Sequence, residues 1–361
     1  MENIGRRYDV DWLRVIAIGL LLLYHVAIGF QPWGTMIGFI TYGESWSSLW
    51  LPMSLLNVWR IPLLFFVSGM GVYFALQQRS WQQLLGERTR RILLPFLSGI
   101  FLIVPLHLCL WQEYYQINLA YVPTPGHLWF LGNLFAYVVL FSPVFFFLKK
   151  HENGSLARGL RRLLSHPLGL LAVVATFVAE AWLVKPHPFE LYAMTWHGFF
   201  LGGVAFFWGF CLVMSGPPCW KMLVAWRWLF FAFATLLFVV RITQFQGAAP
   251  HYLIATESVS WIVTVFAFGH RYLNHSSNAL RYLSQAAYPI YIIHMIFLYL
   301  GSWLLFPLGG AAPLQCLFVL LFTVIGCLVT YEYVIRRVNF LRPLFGLKPK
   351  PTSSPQPSLS S

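Results

Sequence analysis

Ten stretches of about twenty mostly apolar residues run through the chain, at roughly 12–31, 55–76, 92–111, 127–148, 168–184, 193–214, 228–243, 252–270, 286–306 and 314–335. Each is long enough for a helix to cross about 30 Å of hydrocarbon. The apolar runs are continuous rather than alternating, which argues against a β-barrel. The pattern predicts an all-α fold, a polytopic membrane helical bundle of about ten transmembrane helices. The first run follows basic residues and has no small-residue cleavage site behind it, so it reads as a retained signal-anchor. One membrane domain, 1–340, is expected, followed by a disordered cytoplasmic tail, 341–361, that ends in the Pro- and Ser-rich "KPKPTSSPQPSLSS". The longest inner loop, about 149–167, is too short to bury a core of its own.

Composition agrees: 58% of the 361 residues are hydrophobic and 10% charged, and the 16 tryptophans supply material for interfacial belts. The formal net charge of +13 raises the question of nucleic acid, and position answers it. With the N-terminus in the cytoplasm, twenty of the 24 Lys and Arg fall in inner segments and one, Lys185, in the outer loops. The other three, Arg14, Arg60 and Arg241, lie within spans or at their edges. This asymmetry predicts both termini inside, and it accounts for the basic charge with no nucleic acid partner. The five cysteines have no metal-ligand spacing and read as small buried hydrophobes, so no metal site is expected.

An ionisable group near the bilayer centre costs about 2.5–3.5 kcal/mol, so each one asks for a reason. The candidates are Arg14 and His25 in the first span, Arg60 in the second, Glu180 in the fifth, His197 in the sixth, Arg241 in the seventh, Glu257 in the eighth and His294 in the ninth. Eleven residues separate Arg14 from His25, about 20° past three full turns, which places them on one face and roughly 16 Å apart. Asp11 lies one turn before Arg14 and can pair with it. Taken singly, Arg14 reads as a snorkelling cation and His25 as an interhelical hydrogen bonder. Together they outline a polar seam from the inner headgroups to mid-membrane. Arg60 lies in the outer half of its span and can equally reach back to the outer headgroups; Ser68, Gly69 and Gly71 beyond it read as close-packing residues. Arg88, Arg90 and Arg91 in "GERTRRILLPF" are either topological or the holders of a phosphate-rich ligand at the inner mouth. His127 opens the fourth helix after Pro123, Pro125 and Gly126. His294 follows Tyr288 and Tyr291 and reads first as a hydrogen-bonded core histidine. Glu257 is the acid placed to orient His25 or to counter Arg60.

Taken in order, Asp11 with "LR" at 13–14, His25, "FFVSG" at 65–69, Arg88 and Arg91, "HLWFL" at 127–131 and "YPIYIIH" at 288–294 resemble the acyltransferase 3 family of integral membrane O-acyltransferases. "HLWFL" and "RIPLLFFVSG" look most like a branch associated with succinylating periplasmic glucans. The resemblance implies a cytoplasmic acyl-CoA co-substrate, no permanently bound cofactor, a carbohydrate acceptor and membrane lipid surroundings. It carries the family's functional arginine and histidine onto Arg14 and His25, and its inner-loop arginines onto Arg88 and Arg91; support of His25 by Glu257 is our own reading. His25 would act as general base, or as a transient acyl carrier, while Arg14, Arg88 and Arg91 hold the CoA phosphates. Arg60 would bind the acceptor or a free carboxylate on the acyl group, and His127 and His294 are counted with the substrate-binding set. The competing class is a transporter or proton-coupled exchanger of a small organic anion, built from the same residue types. Against it stand the absence of an evident inverted repeat and the concentration of polar residues in the first two spans.

Overall fold

The computed structural model describes residues 7–246 and 249–350. Ten helices among them are long and apolar enough to cross a membrane: α1 Tyr8–Ile28, α2 Ser47–Leu76, α3 Trp81–Tyr114, α4 Gly126–Lys150, α5 Pro167–Val184, α6 Trp196–Met214, α7 Arg227–Phe245, α8 His251–Tyr272, α9 Asn278–Leu308 and α10 Ala312–Ile335. Their number and positions follow the hydropathy pattern, because the length of an apolar run fixes the length of helix that can hide its backbone in lipid. The base of the bundle is defined here as the end where α1 begins and α10 finishes.

The helices sort into an inner and an outer set. Helices α1, α2, α6, α8 and α9 are largely buried, whereas α7 buries 11% of its apolar window against 78% for α2. The tightest inner contact joins α2 to α6. A side chain at Gly69 would run into the Phe206 backbone, and one at Gly209 into the Phe66 backbone. Only hydrogen fits at these two positions, so the helix axes come close and dispersion between them is large.

Proline shapes α3. Pro95 and Pro105 each follow a widened π-helical turn, Thr89–Leu93 and Gly99–Ile103. A proline has no N–H for the carbonyl four residues earlier, which frees Arg91 and Phe101 carbonyls respectively. The second is taken up by the Tyr121 hydroxyl at 2.9 Å. The first turn carries Arg91 and begins beside Arg88, both of which line the cavity described below.

Two ionic ties fix helices that apolar packing alone would leave loose. At the start of α1, Asp9 is buried and receives Arg7 Nε at 2.8 Å and His270 Nδ1 at 2.9 Å, while Arg7 lies over the Trp220 ring. In α7 the buried residues are Ala234 and Arg241. Arg241 donates from Nε and Nη2 to the two oxygens of Glu257 on α8, at 2.6 and 3.0 Å, and from Nη2 to the Ser54 carbonyl at 2.9 Å.

The packed chain continues beyond 340. After α10 it turns back, and Leu341, Leu344 and Leu347 pack on the core beside a buried Phe345. Ser98 Oγ donates to the Leu344 carbonyl at 3.2 Å, and Lys350 N donates to Asn339 Oδ1 at 2.7 Å, closing the loop at its neck. The tail expected from 341 is thus folded over its first ten residues; 351–361 lie outside the described residues.

Removing one partner of the Arg241–Glu257 pair leaves a bare buried charge. Glu257→Ala should therefore destabilise by about 3–5 kcal/mol, read as a lower unfolding temperature in detergent. Joint replacement, Arg241→Leu with Glu257→Leu, should recover most of that loss.

Candidate active site

A cavity of about 530 Å³ opens in the base of the bundle. Its cationic lining comprises Arg14 from α1, Arg88 and Arg91 from α3, and Arg342 and Lys348 from the segment after α10; no described acid lines it. Arg14 is held by Asp11 at 3.6 Å and Arg91 by Glu87 at 3.3 Å, both pairs partly exposed and thus weak. Arg88 Nη2 points at the Gly71 carbonyl, 3.5 Å away, and the Arg14 guanidinium passes 3.5 Å from where a Gly71 side chain would begin. Both cations thus lie against the Gly71 turn of α2. The buried Arg88 Nε and Tyr288 hydroxyl have no hydrogen-bond partner among the described residues, and both residues line the cavity. Pro289 adds a polar atom on the same wall, since it cannot bond the carbonyl of Gln285, another lining residue.

Above the cavity the same helix faces continue. On α2 the lining residues Gly71, Ser68 and Leu64 lead at about one-turn steps to Arg60. On α4, Val138, Leu134 and Leu131 lead to His127; on α9, Tyr288 and Tyr291 lead to His294; on α1, Arg14 and Ile18 lead, two turns on, to His25. The cavity ends at Phe130, Leu64 and Tyr291, and the histidines begin about one turn beyond. Tyr291 belongs to both regions: its ring lines the cavity and its hydroxyl donates to the His127 carbonyl at 2.6 Å.

The histidines form one cluster. His25 Nδ1 lies 2.8 Å from His294 Nε2, with the two ring planes nearly parallel and the rings meeting edge to edge, centroids 5.1 Å apart. His294 Nδ1 lies 2.7 Å from the Tyr291 carbonyl, which can only accept. His294 therefore carries its proton on Nδ1 and, when neutral, presents a lone pair at Nε2. The His25 Nδ1–H donates to that lone pair, which leaves His25 Nε2 unprotonated. His127 donates from Nε2 to the Ile292 carbonyl at 3.0 Å, and its ring meets the His294 ring edge to face. His107, buried on α3, packs against His127 and Tyr299. No group of three or more His, Cys, Asp or Glu among the described residues is arranged to hold a metal.

Arg60 is buried, its guanidinium 3.8 Å above the Tyr24 ring, and its Nε and Nη1 find no hydrogen-bond partner among the described residues. A buried acid–base pair of the upper half joins Glu180 to His197 Nδ1 at 3.0 Å and leaves the buried His197 Nε2 without a hydrogen-bond partner among the described residues.

Thus Arg14, Arg88 and Arg91 converge on one cavity, and His25, His127 and His294 on one cluster above it. Glu257 does neither. Both its oxygens are taken by Arg241, so it cannot orient His25 or counter Arg60. The partner of His25 is His294. Three residues escaped the sequence reading: His107, though an ionisable residue inside the third apolar run is a signal by the same rule that found the others, and Arg342 and Lys348, which belong to the stretch read as tail.

The acyltransferase 3 family model, described as an acyltransferase domain, matches residues 7–332. Glucans biosynthesis protein C of Escherichia coli strain K12 is 24% identical over 381 residues, covering 95% of each chain. The protein of the same name from Escherichia coli O1:K1 / APEC is 24% identical over 380 residues, again covering 95% of each. No solved structure matches the chain. The chain belongs to the acyltransferase 3 family and is a multi-pass membrane acyltransferase of groups other than amino-acyl groups.

Proposed function

From this membership and the site's geometry, we propose that the protein moves an acyl group, of the acetyl or succinyl type, from cytoplasmic acyl-CoA to a hydroxyl of a cell-envelope carbohydrate, in an inner membrane of bacterial type. The carrying observation is the unprotonated His25 Nε2 at the head of a four-helix track whose lower end is a cavity lined by cations. The carbohydrate acceptor rests on the name of the relatives. The base of the bundle faces the cytoplasm, as the distribution of Lys and Arg supports.

In this reading Arg14, Arg88 and Arg91 hold the phosphates of the donor by charge-assisted hydrogen bonds. The pantetheine arm rises along the track past Leu64 and Tyr291, a span comparable to the roughly 16 Å between Arg14 and His25. His25 Nε2 takes the proton of the acceptor hydroxyl as its oxygen attacks the thioester carbonyl. The tetrahedral adduct then collapses, the C–S bond breaks, and the departing thiolate receives the proton from His25. His294 keeps the His25 ring oriented and accepts its Nδ1–H throughout. Arg60 faces the acceptor side, where a buried guanidinium without a carboxylate partner suits an anionic group on the acyl chain or the acceptor.

His25→Ala should lower kcat by about 10²- to 10⁴-fold, the usual worth of a positioned base, with insertion and yield unchanged. Acyl transfer from labelled acyl-CoA to extracted glycans is the assay, and near-normal turnover would remove His25 as base. Arg14→Ala should raise the KM for acyl-CoA about tenfold with a smaller change in kcat, as loss of a ground-state phosphate contact requires; a fall in kcat at unchanged KM would argue against that contact. Flux of an organic anion across vesicles without covalent product would instead favour an exchanger.

A further inference from the structure

The segment after α10 brings to the cavity two cations that no membrane span supplies. Arg342 is fixed on its own loop, donating from Nε to the Lys348 carbonyl at 2.7 Å and from Nη1 to the Arg336 carbonyl at 2.8 Å. Its Nη2 makes no hydrogen bond to a described residue and is left for another acceptor. Gly346 seats the loop: its φ of +71° favours glycine, and a side chain there would collide with the Tyr288 ring on the cavity wall. Apolar packing by Leu344 and Phe345 thus holds Arg342 and Lys348 beside Arg88 and Arg91, against the mutual repulsion of like charges.

Such a convergence fits a ligand with several separated anionic groups. A lone carboxylate or single phosphate is satisfied by one or two guanidinium groups. Here Arg88, Arg14 and Arg91 are part-exposed, with Arg88 Nε itself buried, and Lys348 is exposed at the rim. We propose that Arg342 and Lys348 form the receptor for the phosphate farthest from the thioester, the one on the ribose of a nucleotide thioester, while Arg14, Arg88 and Arg91 take its diphosphate. This rests on the reading of the cavity as the acyl-CoA site and adds to it a division of labour among the cations. It also makes the loop at 336–350 part of the enzyme's donor site rather than an appendage.

The test compares CoA with 3′-dephospho-CoA, titrated calorimetrically into the full-length protein in detergent at fixed low salt. The unmodified protein should bind CoA roughly tenfold or more tightly than dephospho-CoA, as a charge-assisted contact implies. The double variant Arg342→Ala, Lys348→Ala should bring the two affinities together by weakening CoA alone, with dephospho-CoA unchanged as the control for folding. Should the double variant lose both ligands, Lys348→Ala alone, at an exposed position, should still cost CoA about threefold and spare dephospho-CoA. Equal binding of both ligands by the unmodified protein, or a preference that survives these substitutions, overturns the assignment and leaves the donor cavity standing. Failure of the unmodified protein to bind either ligand overturns the donor reading and this inference with it.

Discussion

A charge withdrawn from water into a helical bundle must meet a counter-charge, and this requirement organises the molecule. The desolvation cost of a buried ion is several kcal/mol even after relaxation. The bundle meets it at Asp9, shared by Arg7 and His270, at Glu180 with His197, and at Arg241 with Glu257. Each of these pairs ties one helix or segment to another. Arg60 and Arg88 are treated differently: both retain buried nitrogens without protein partners. Both lie on the one track that runs from the basal cavity past the histidines, where an anionic ligand is the natural complement.

The track itself is a consequence of helical period. Four helices present side chains every three or four residues toward the same axis, so the faces that line the cavity at Arg14, Gly71, Val138 and Tyr288 carry His25, Arg60, His127 and His294 beyond its upper end. Its floor is set by local devices in the sequence. The π turn before Pro95 contains Arg91 and begins beside Arg88, and Gly346 lets the returning chain lie on Tyr288. Neither of these devices performs chemistry, yet each sets a distance that chemistry would need.

How far the sequence reveals this depends on whether a feature is periodic or tertiary. The ten spans are legible because hydrocarbon demands long apolar runs, and the alignment of Arg14 with His25 follows from 100° per residue. Helix neighbours are not encoded in that way, and Glu257 was misread for this reason. One clue was nonetheless present: Arg241 lies about one turn from the end of α7 and Glu257 about one and a half turns into α8, so a short α7–α8 connection brings them to the same depth. His107 was equally visible as an ionisable residue in an apolar run. The folded start of the tail was hidden by its neighbours, since the Pro- and Ser-rich stretch that follows masks four apolar residues, Leu341, Leu344, Phe345 and Leu347, that pack inward.

The choice of histidine rather than an acid behind His25 has a physical logic of its own. In a water-exposed site a carboxylate fixes the tautomer of a catalytic imidazole and stabilises the imidazolium that forms. Behind His25 a carboxylate would add a further buried anion, with its desolvation cost, to the resting enzyme. A second imidazole anchored on the Tyr291 carbonyl supplies the one property the resting state requires, an oriented lone pair, and carries no charge to desolvate. The two rings, joined through nitrogens 2.8 Å apart, can share at most one additional proton, because a second would set N–H against N–H. The pair thus accepts one proton and no more, which matches the stoichiometry of a single hydroxyl deprotonation. The weaker stabilisation of the imidazolium, relative to a carboxylate partner, is offset by the absence of a permanent buried anion.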